Sequence, residues 1–301
     1  MDKYENALMD LNVKWEDMYQ YCKKQKCLYK FRNFKSKYWV DYIDGKLRMS
    51  TVDFFEDLEE INPHFSCKEI LQNLEQCQQE GLLTFKFDIA NYDIHKVCCE
   101  INRWVNLYRQ QFRIGCFSSE LFNNKIWKTH SDKERGFCIR YVVDKSELLK
   151  KLIYPVRYTN DTFSLCKSSI VVWLSCEQAK KEGKRMNVFW KEHKEIYDKL
   201  NKSCYIPIYL KKKEFSFENE YRMVLSNNEA VGDDMYSDNY LDVNGDIDLR
   251  SCVDAIFLGE RFNRNKEYSS ILNQIRKIID QSDIKLYQMT KKCGKYEYVK
   301  I

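Results

Sequence analysis

This sequence contains few residues that interrupt regular structure, with 9 Gly and 3 Pro among 301 residues. That scarcity excludes collagen-like and linker-rich architectures and favours long regular elements. No apolar run approaches the roughly 18 residues that a membrane-spanning helix needs, so we expect no membrane partner. The segment MDKYENALMD contains no apolar signal region, and we therefore expect a cytoplasmic protein.

The sequence also lacks the usual patterns of cysteine and histidine that stabilise small folds. It has 13 Cys, an odd number, no C-x-x-C motif, and only 4 scattered His. A disulfide framework uses pairs of cysteines, and the common zinc sites use C-x-x-C or similar spacings. We predict reduced thiols and a fold that depends on neither a disulfide nor zinc.

The overall composition is that of a folded, soluble protein. Hydrophobic residues make up 44% of the chain and aromatic residues 15%, which is enough to build a core. The 50 Lys and Arg against 45 Asp and Glu give a net charge of +5. This excess is too small to indicate nucleic-acid binding by itself.

Residues 1–26 carry an apolar stripe at helical spacing and predict an N-terminal docking helix. The periodicity is compatible with two packing partners for this helix, the chain's own sheet or a second copy of the chain in a homo-oligomer. The stripe consists of Tyr4, Leu8, Leu11, Trp15, Met18 and Cys22.

Residues 27–301 predict a single α+β domain, with one central mixed, mostly antiparallel sheet, peripheral helices and a helical insertion at about 165–201. Ser66 and Glu69 form a capping box that starts a helix ending near Gly81. Further helices are expected at about 92–111 and 264–280, and a mobile acidic loop at 228–239. The expected strands include FRIGCFSS, GFCIRYVV, YPVRYT, CYIPIYL, FENEYRMVL, VDAIFL and IKLYQM.

The stretch FENEYRM is the most informative for chemistry. Side chains alternate along a strand, so Glu218, Glu220 and Arg222 are predicted on one face. Two carboxylates beside a guanidinium suit either a catalytic site or a solvated face with cross-strand ion pairs.

A second charged strand is LYKFR, in which alternation places Lys30 and Arg32 opposite Tyr29 and Phe31. Two cations on a short strand would suit an anionic ligand such as a phosphate, because Arg offers a bidentate fork. An exposed basic edge strand that discourages aggregation is the alternative.

Hydroxyl pairs and one histidine complete the candidates. Ser50-Thr51 and Ser118-Ser119 follow predicted strands, where hydroxyls bind ligands or cap the next helix. Trp127 ends the predicted helical stretch ELFNNKIW, and His130 follows it near a sheet edge, where the imidazole is a candidate acid or ligand donor.

The blocks LYKFR, LRMS, CFS, IW-x-x-H, GFC, ENEYR and IFLG, taken in order, resemble the signature of domain-of-unknown-function family 2971 over about residues 27–290. An early Arg, a Ser-Thr or Ser-Ser pair and a late Glu-x-Glu are more loosely similar to the Arg, Ser and Glu blocks of ADP-ribosyltransferases. These blocks fall on Arg32, on Ser50-Thr51 or Ser118-Ser119, and on Glu218-x-Glu220.

The second resemblance implies an ADP-ribosyltransferase-like fold and an NAD-dependent ADP-ribosyltransferase or NAD-cleaving toxin or defence effector, acting on a protein or nucleic-acid acceptor. It implies that Glu220 holds the ribose and stabilises its cation, that Glu218 orients the acceptor, and that Arg32 clamps the pyrophosphate. Tyr29 or Trp127 would stack on the nicotinamide or adenine ring.

Two other classes of function stay open. In a non-catalytic nucleotide or nucleic-acid binding module, Lys30, Arg32 and the aromatic residues would bind phosphate and base without turnover. In a metal-dependent nuclease, acidic side chains would hold Mg²⁺. The candidate ligands for that metal are Asp53, Glu56, Asp57, Glu218 and Glu220.

Overall fold

The computed structural model of the protein describes residues 2–51, 64–79, 92–110, 112–160, 166–226, 246–280 and 282–301. Its α-helices within these ranges are Lys3–Met9, Trp39–Ile43, Cys67–Gln79, Ile94–Gln110, Asn124–His130, Glu147–Leu152, Cys166–Lys181, Met186–Glu192, Lys194–Tyr205 and Tyr268–Ile279. The predicted acidic loop at 228–239 and the carboxylates Asp53, Glu56 and Asp57 lie outside the described residues. None of the described helices is long and apolar enough to cross a membrane.

The strands of the described ranges are numbered in chain order. They are β1 (Cys27–Arg32), β2 (Lys46–Arg48), β3 (Ser50–Thr51), β4 (Phe112–Ser118), β5 (Phe137–Val142), β6 (Ile153–Pro155), β7 (Arg157–Tyr158), β8 (Leu210–Lys211), β9 (Glu220–Ser226), β10 (Asp246–Asp248), β11 (Val253–Leu258), β12 (Lys285–Lys292) and β13 (Lys295–Lys300).

Nine of these strands form one large curled mixed sheet in an α+β fold. The order is β13-β12-β11-β5-β1-β4-β9-β6, with β3 also paired to β4. Only the β11–β12 pair is parallel within this sheet of described strands, so the predicted mostly antiparallel arrangement is confirmed. VDAIFL, which is apolar except for Asp254, forms β11, because a strand buried on both faces needs no polar alternation.

Along one side, strand β4 pairs with two different strands. At one end Ser118 pairs with Tyr29 of β1, and at the other end Ile114 pairs with Ser50 of β3. The backbone of β4 between these pairings therefore faces a gap between β1 and β3. Backbone carbonyls in such a gap need other donors.

Both faces of the sheet are covered by apolar side chains. One face packs against the helices Trp39–Ile43, Glu147–Leu152 and Tyr268–Ile279. On the opposite face, Phe112, Ile114 and Val224 pack against the N-terminal segment and the stretch around Tyr205–Leu210.

The N-terminal segment docks on the chain's own sheet. Tyr4, Leu8, Trp15 and Met18 are buried there, as the apolar stripe predicted, whereas Leu11 of the same stripe is exposed. The single helix that we expected is wrong: Lys3–Met9 is α-helical, and a 3₁₀ helix follows at Trp15–Tyr21. Lys202 donates hydrogen bonds to the carbonyls of Ala7 and Asp10, where the first helix ends.

Other predicted elements agree with the structure in part. YPVRYT forms two short strands, β6 in the large sheet and β7 in a separate pair with β8. The helix Cys67–Gln79 begins with the expected reciprocal bonds between Ser66 and Glu69. The charged stretch after 165 contains three helices. CYIPIYL is not a strand: its centre is a 3₁₀ helix, Ile206–Tyr209, because Pro207 has a fixed φ and no N–H for a ladder.

The cysteines whose side chains the structure describes are free thiols. Cys138 is fully buried in an apolar cluster with Phe31 and Phe257. There the thiol packs as a small hydrophobic group.

A buried carboxylate cluster as the candidate functional site

The cluster is created by a turn just before β9. The 3₁₀ helix Lys213–Glu218 ends at Asn219, whose φ of 43° lies in the left-handed region that asparagine tolerates. Glu218 therefore precedes the strand, and our prediction that it lies on the strand face is wrong. Glu220 opens β9, and Arg222 follows on the same face.

One ammonium group joins the two carboxylates. Lys211 at the end of β8 places its Nζ 2.7 Å from Oε2 of Glu218 and 2.9 Å from Oε2 of Glu220. All three side chains are largely buried, with Glu218 12% exposed and Glu220 6% exposed. The arrangement fixes both carboxylates in a region of reduced solvent screening.

A guanidinium binds Glu220 from the other side. Arg222 is fully buried; its Nε lies 2.8 Å from Oε1 of Glu220, and its Nη1 donates to the carbonyl of Ile208. The backbone N–H of Glu220 donates to the hydroxyl of Tyr158 at 2.8 Å. Glu220 is thus held at both its side chain and its backbone.

Burial and charge oppose each other in this cluster. Burial alone would raise the pKa of Glu220, but the charges of Arg222 and Lys211 outweigh it and hold that pKa well below its ordinary value. Burial alone would lower the pKa of Lys211, yet the Glu220 carboxylate beside it holds the pKa above its ordinary value. Glu220 and Lys211 are therefore both ionised at neutral pH.

Glu218 forms the edge of the cluster that faces solvent. Its Oε1 lies 3.2 Å from Nε2 of His130, whose side chain is 48% exposed at the end of the helix Asn124–His130. Asn123 caps that helix and donates from Nδ2 to the carbonyl of Phe217 at 2.6 Å. Ser118 donates to the Glu218 carbonyl at 2.8 Å. The helix and the turn are thereby fixed relative to each other.

The strand register decides which predicted residues share this face. Tyr29 pairs with Ser118, and Ser118 pairs with Glu220, so these three side chains form one row across β1, β4 and β9. Ser50 lies on the same face, opposite Ile114 and four residues along β4 from Ser118. Thr51 alternates to the other face.

Arg32 and Lys30 do not join the cluster. Arg32 alternates to the face opposite Tyr29, where its Nη2 lies 3.2 Å from the hydroxyl of Tyr42. The resemblance implied that Arg32 and Glu220 bind the same NAD molecule and therefore share a cleft, and their placement on opposite faces of the sheet contradicts this. Strand alternation could not reveal this, because the relative facing of two strands depends on their register.

Lys30 fills the gap beside β4. Its Nζ donates to the carbonyl of Cys116 at 2.6 Å. Burial, with a contribution from Arg32, lowers the pKa of Lys30 to about 7. This lysine supplies one hydrogen-bond donor to the backbone of β4 in that gap.

Trp127 belongs to the core. It is fully buried, its indole N–H donates to the carbonyl of Leu121 at 2.7 Å, and its ring packs edge-on against Phe31. Its ring has no exposed surface on which a ligand could stack. Tyr29 is half-buried and keeps its place in the row with Glu220.

Lys211 is the site residue that sequence reasoning missed, because the run Lys211-Lys212-Lys213 indicated a solvated turn. Its position directly after the apolar IPIYL was the available signal. Cys116 is a second such residue: burial raises the pKa of its thiol to about 12, and Glu220 contributes to that rise.

Within the described ranges, no group of three or more His, Cys, Asp or Glu side chains is arranged to hold a metal ion. No family model, curated protein or solved structure compared with this chain matches it.

Proposed function

We propose that this protein is an NAD-cleaving enzyme of the ADP-ribosyltransferase class, with an ADP-ribosyltransferase-like site at the start of β9. The supporting observation is the pair of carboxylates, Glu218 and Glu220, that Lys211 bridges at the start of β9. The resemblance of Glu218-x-Glu220 to the Glu block of that class adds to it. A role as a toxin or defence effector belongs to the same proposal.

The reaction breaks the bond between C1′ of the ribose and the nicotinamide nitrogen. Both bonding electrons leave with nicotinamide, and the ribosyl cation is captured by water or an acceptor group that then loses a proton. A fixed anion beside the ribose stabilises the cation in the transition state more than it stabilises the substrate. The protein must therefore present a carboxylate at the boundary with solvent.

The exposure of Glu218 and Glu220 supports roles for them that differ from those implied by the ADP-ribosyltransferase resemblance. Glu218 reaches the boundary, so it is the carboxylate that would face the ribose. Glu220 is bound by Arg222 and Lys211 and acts as a positioning residue. Arg32 has no role at this site, because it faces the other side of the sheet.

His130 and Tyr29 are the remaining candidates for contact with substrate. His130 lies next to Glu218 and is accessible, so it can exchange a proton with an acceptor group. Tyr29 is half-buried in the row that leads to Glu220 and offers a ring for stacking.

The test is incubation of the purified protein with NAD⁺ labelled in the nicotinamide ring, followed by separation of free nicotinamide. Glu218→Gln keeps the side-chain shape but removes the charge, and we expect nicotinamide release to fall by about 10²–10³-fold. Glu214→Gln, an exposed substitution in the same 3₁₀ helix, is the matched control and should retain full activity.

A protein without nicotinamide release, alone or with cell extract as a source of acceptors, would contradict the proposal. So would a Glu218→Gln variant that is folded and fully active.

A further inference from the structure

A second surface lies at the opposite end of the sheet from β9. Four aromatic rings meet on one face of β11, β12 and β13, and we call them the aromatic platform. Its members are Phe122, Phe257, Tyr287 and Tyr298. The platform is outside the carboxylate cluster and needs a separate explanation.

The platform is a continuous set of ring contacts. Phe257 and Tyr287 are paired across β11 and β12, with ring centroids 5.1 Å apart and an interplanar angle of 16°. Tyr298 of β13 packs against both of them at 4.9–5.2 Å. Phe122 stacks on Tyr298 at 6.0 Å with an interplanar angle of 9°.

The outer rings of the platform are open to solvent. Tyr298 is 40% exposed and Phe122 is 53% exposed, although both are large apolar groups. Phe257 is fully buried beneath them and supports them. A rigid aromatic surface with one accessible side is what stacking on a flat ligand requires.

Two lysines flank the rings on the same face. Lys300 pairs directly with Tyr287, and Lys285 lies two residues before Tyr287 on β12, so all three side chains project to one side. Both lysines are exposed, and neither takes part in the ion pairs found among the described residues.

Two other cations on this face are already paired with carboxylates. Arg140 makes a bidentate ion pair with Asp254. Lys291 lies 2.6 Å from Glu134. Lys285 and Lys300 therefore supply positive charge beside the aromatic platform.

We propose that the aromatic platform binds single-stranded nucleic acid. Bases would stack on Tyr298 and Phe122, and Lys285 and Lys300 would contact the phosphates. Every base has a flat face, so this kind of binding tolerates different sequences, while the phosphate contacts make it dependent on salt. A duplex keeps its bases stacked inside and presents few faces to such a surface. The proposal does not depend on NAD cleavage.

The test is fluorescence anisotropy with a labelled single-stranded oligonucleotide of mixed sequence, as DNA and as RNA, at low and at physiological salt. Tyr298→Ala should weaken binding by about 5- to 100-fold, the loss expected for one stacked base. Val299→Ala is the matched control, because Val299 is 50% exposed on the other face of the same strand.

A second pair of variants tests how much the lysine charges contribute to nucleic-acid binding. Lys285→Gln combined with Lys300→Gln should weaken binding and make it less dependent on salt. Lys292→Gln changes an exposed lysine on the other face of β12 and should leave both unchanged.

Three results would overturn the proposal. They are no binding by the wild-type protein at low salt, wild-type affinity in Tyr298→Ala, and equal affinity for the duplex of the same sequence. Nicotinamide release measured on the same variants separates this outcome from the proposed enzymatic function, since none of these residues contacts the carboxylate cluster.

Discussion

Arg222 is fully buried, and its Nε lies 2.8 Å from a carboxylate oxygen of Glu220, two residues earlier on the same strand. Neighbours at this spacing on a strand share a face, so the strand itself brings the two charges together. A buried ion pair of this kind contributes little net stability while it is intact. Its importance appears when one partner is removed.

We therefore expect Glu220→Gln to destabilise the protein. The substitution leaves the buried guanidinium of Arg222 without its carboxylate, and breaking a buried pair costs about 3–5 kcal/mol. Urea unfolding followed by circular dichroism measures the loss. Glu214→Gln, which changes an exposed carboxylate nearby, should shift the midpoint very little. Equal midpoints for the two variants would contradict the assignment.

The Glu220 carboxylate also predicts how the free energy of unfolding changes at acidic pH. The folded pKa of Glu220 lies below the unfolded value, which is about 4.3 for glutamate. The unfolded chain therefore takes up the proton first as the pH falls. The stabilisation from Glu220 is complete above about pH 5 and decreases as the pH falls below about 4.3 towards the folded pKa. Unfolding free energies at pH 3 and pH 6 should differ more for the wild type than for Glu220→Gln.

Lys30 predicts how the free energy of unfolding changes from neutral to alkaline pH. Burial lowers its pKa from 10.5 to about 7, so between these values the folded chain has released a proton that the unfolded chain keeps. The free energy of unfolding should therefore rise with pH across this window. The Lys30→Met variant lacks this titrating group. The difference in unfolding free energy between the wild type and the variant, measured at pH 7 and at pH 9.5, therefore gives the contribution of Lys30. Parallel pH profiles would show that Lys30 does not titrate in this range.

Gly259 predicts a steric effect that is independent of charge. A Cβ at this position would press against the backbone carbonyl of Glu134, which cannot move away as a side chain can. We expect Gly259→Ala to lower the free energy of unfolding by about 2 kcal/mol or more. Gly115→Ala is the comparison, because its Cβ would meet the flexible side chain of Met49 at 2.9 Å. The Gly115 variant should lose clearly less stability.

Strands and helices with uninterrupted apolar patterns could be predicted from the sequence. VDAIFL became β11, and the stripe from Tyr268 became the helix Tyr268–Ile279. Strand β13 could not be predicted, because most of its side chains are exposed and its sequence KYEYVK is polar. Strand β13 is held by its pairing with β12, and the residues of β13 alone do not specify that pairing.

The carboxylate cluster was predictable only in part. Glu218, Glu220 and Arg222 lie within five residues, so their proximity follows from chain connectivity. Lys211 reaches them from another strand, and Arg32 faces away from them, because both placements depend on how strands pair. Local patterns give the alternation of side chains, whereas the register between distant strands sets which faces coincide.

The hydrogen bonds from Lys202 to Ala7 and Asp10 have a consequence for synthesis of the chain. The donor lies 195 residues after its first acceptor, so the ribosome must add that many residues before the first helix can obtain this bond. At about 5–20 residues per second, the delay is roughly 10–40 s. During that interval the apolar stripe containing Leu8 and Trp15 also lacks β9 and the Tyr205–Leu210 stretch that cover it. The nascent N-terminal segment is thus a predicted binding site for chaperones until residues 202–226 have emerged from the ribosome.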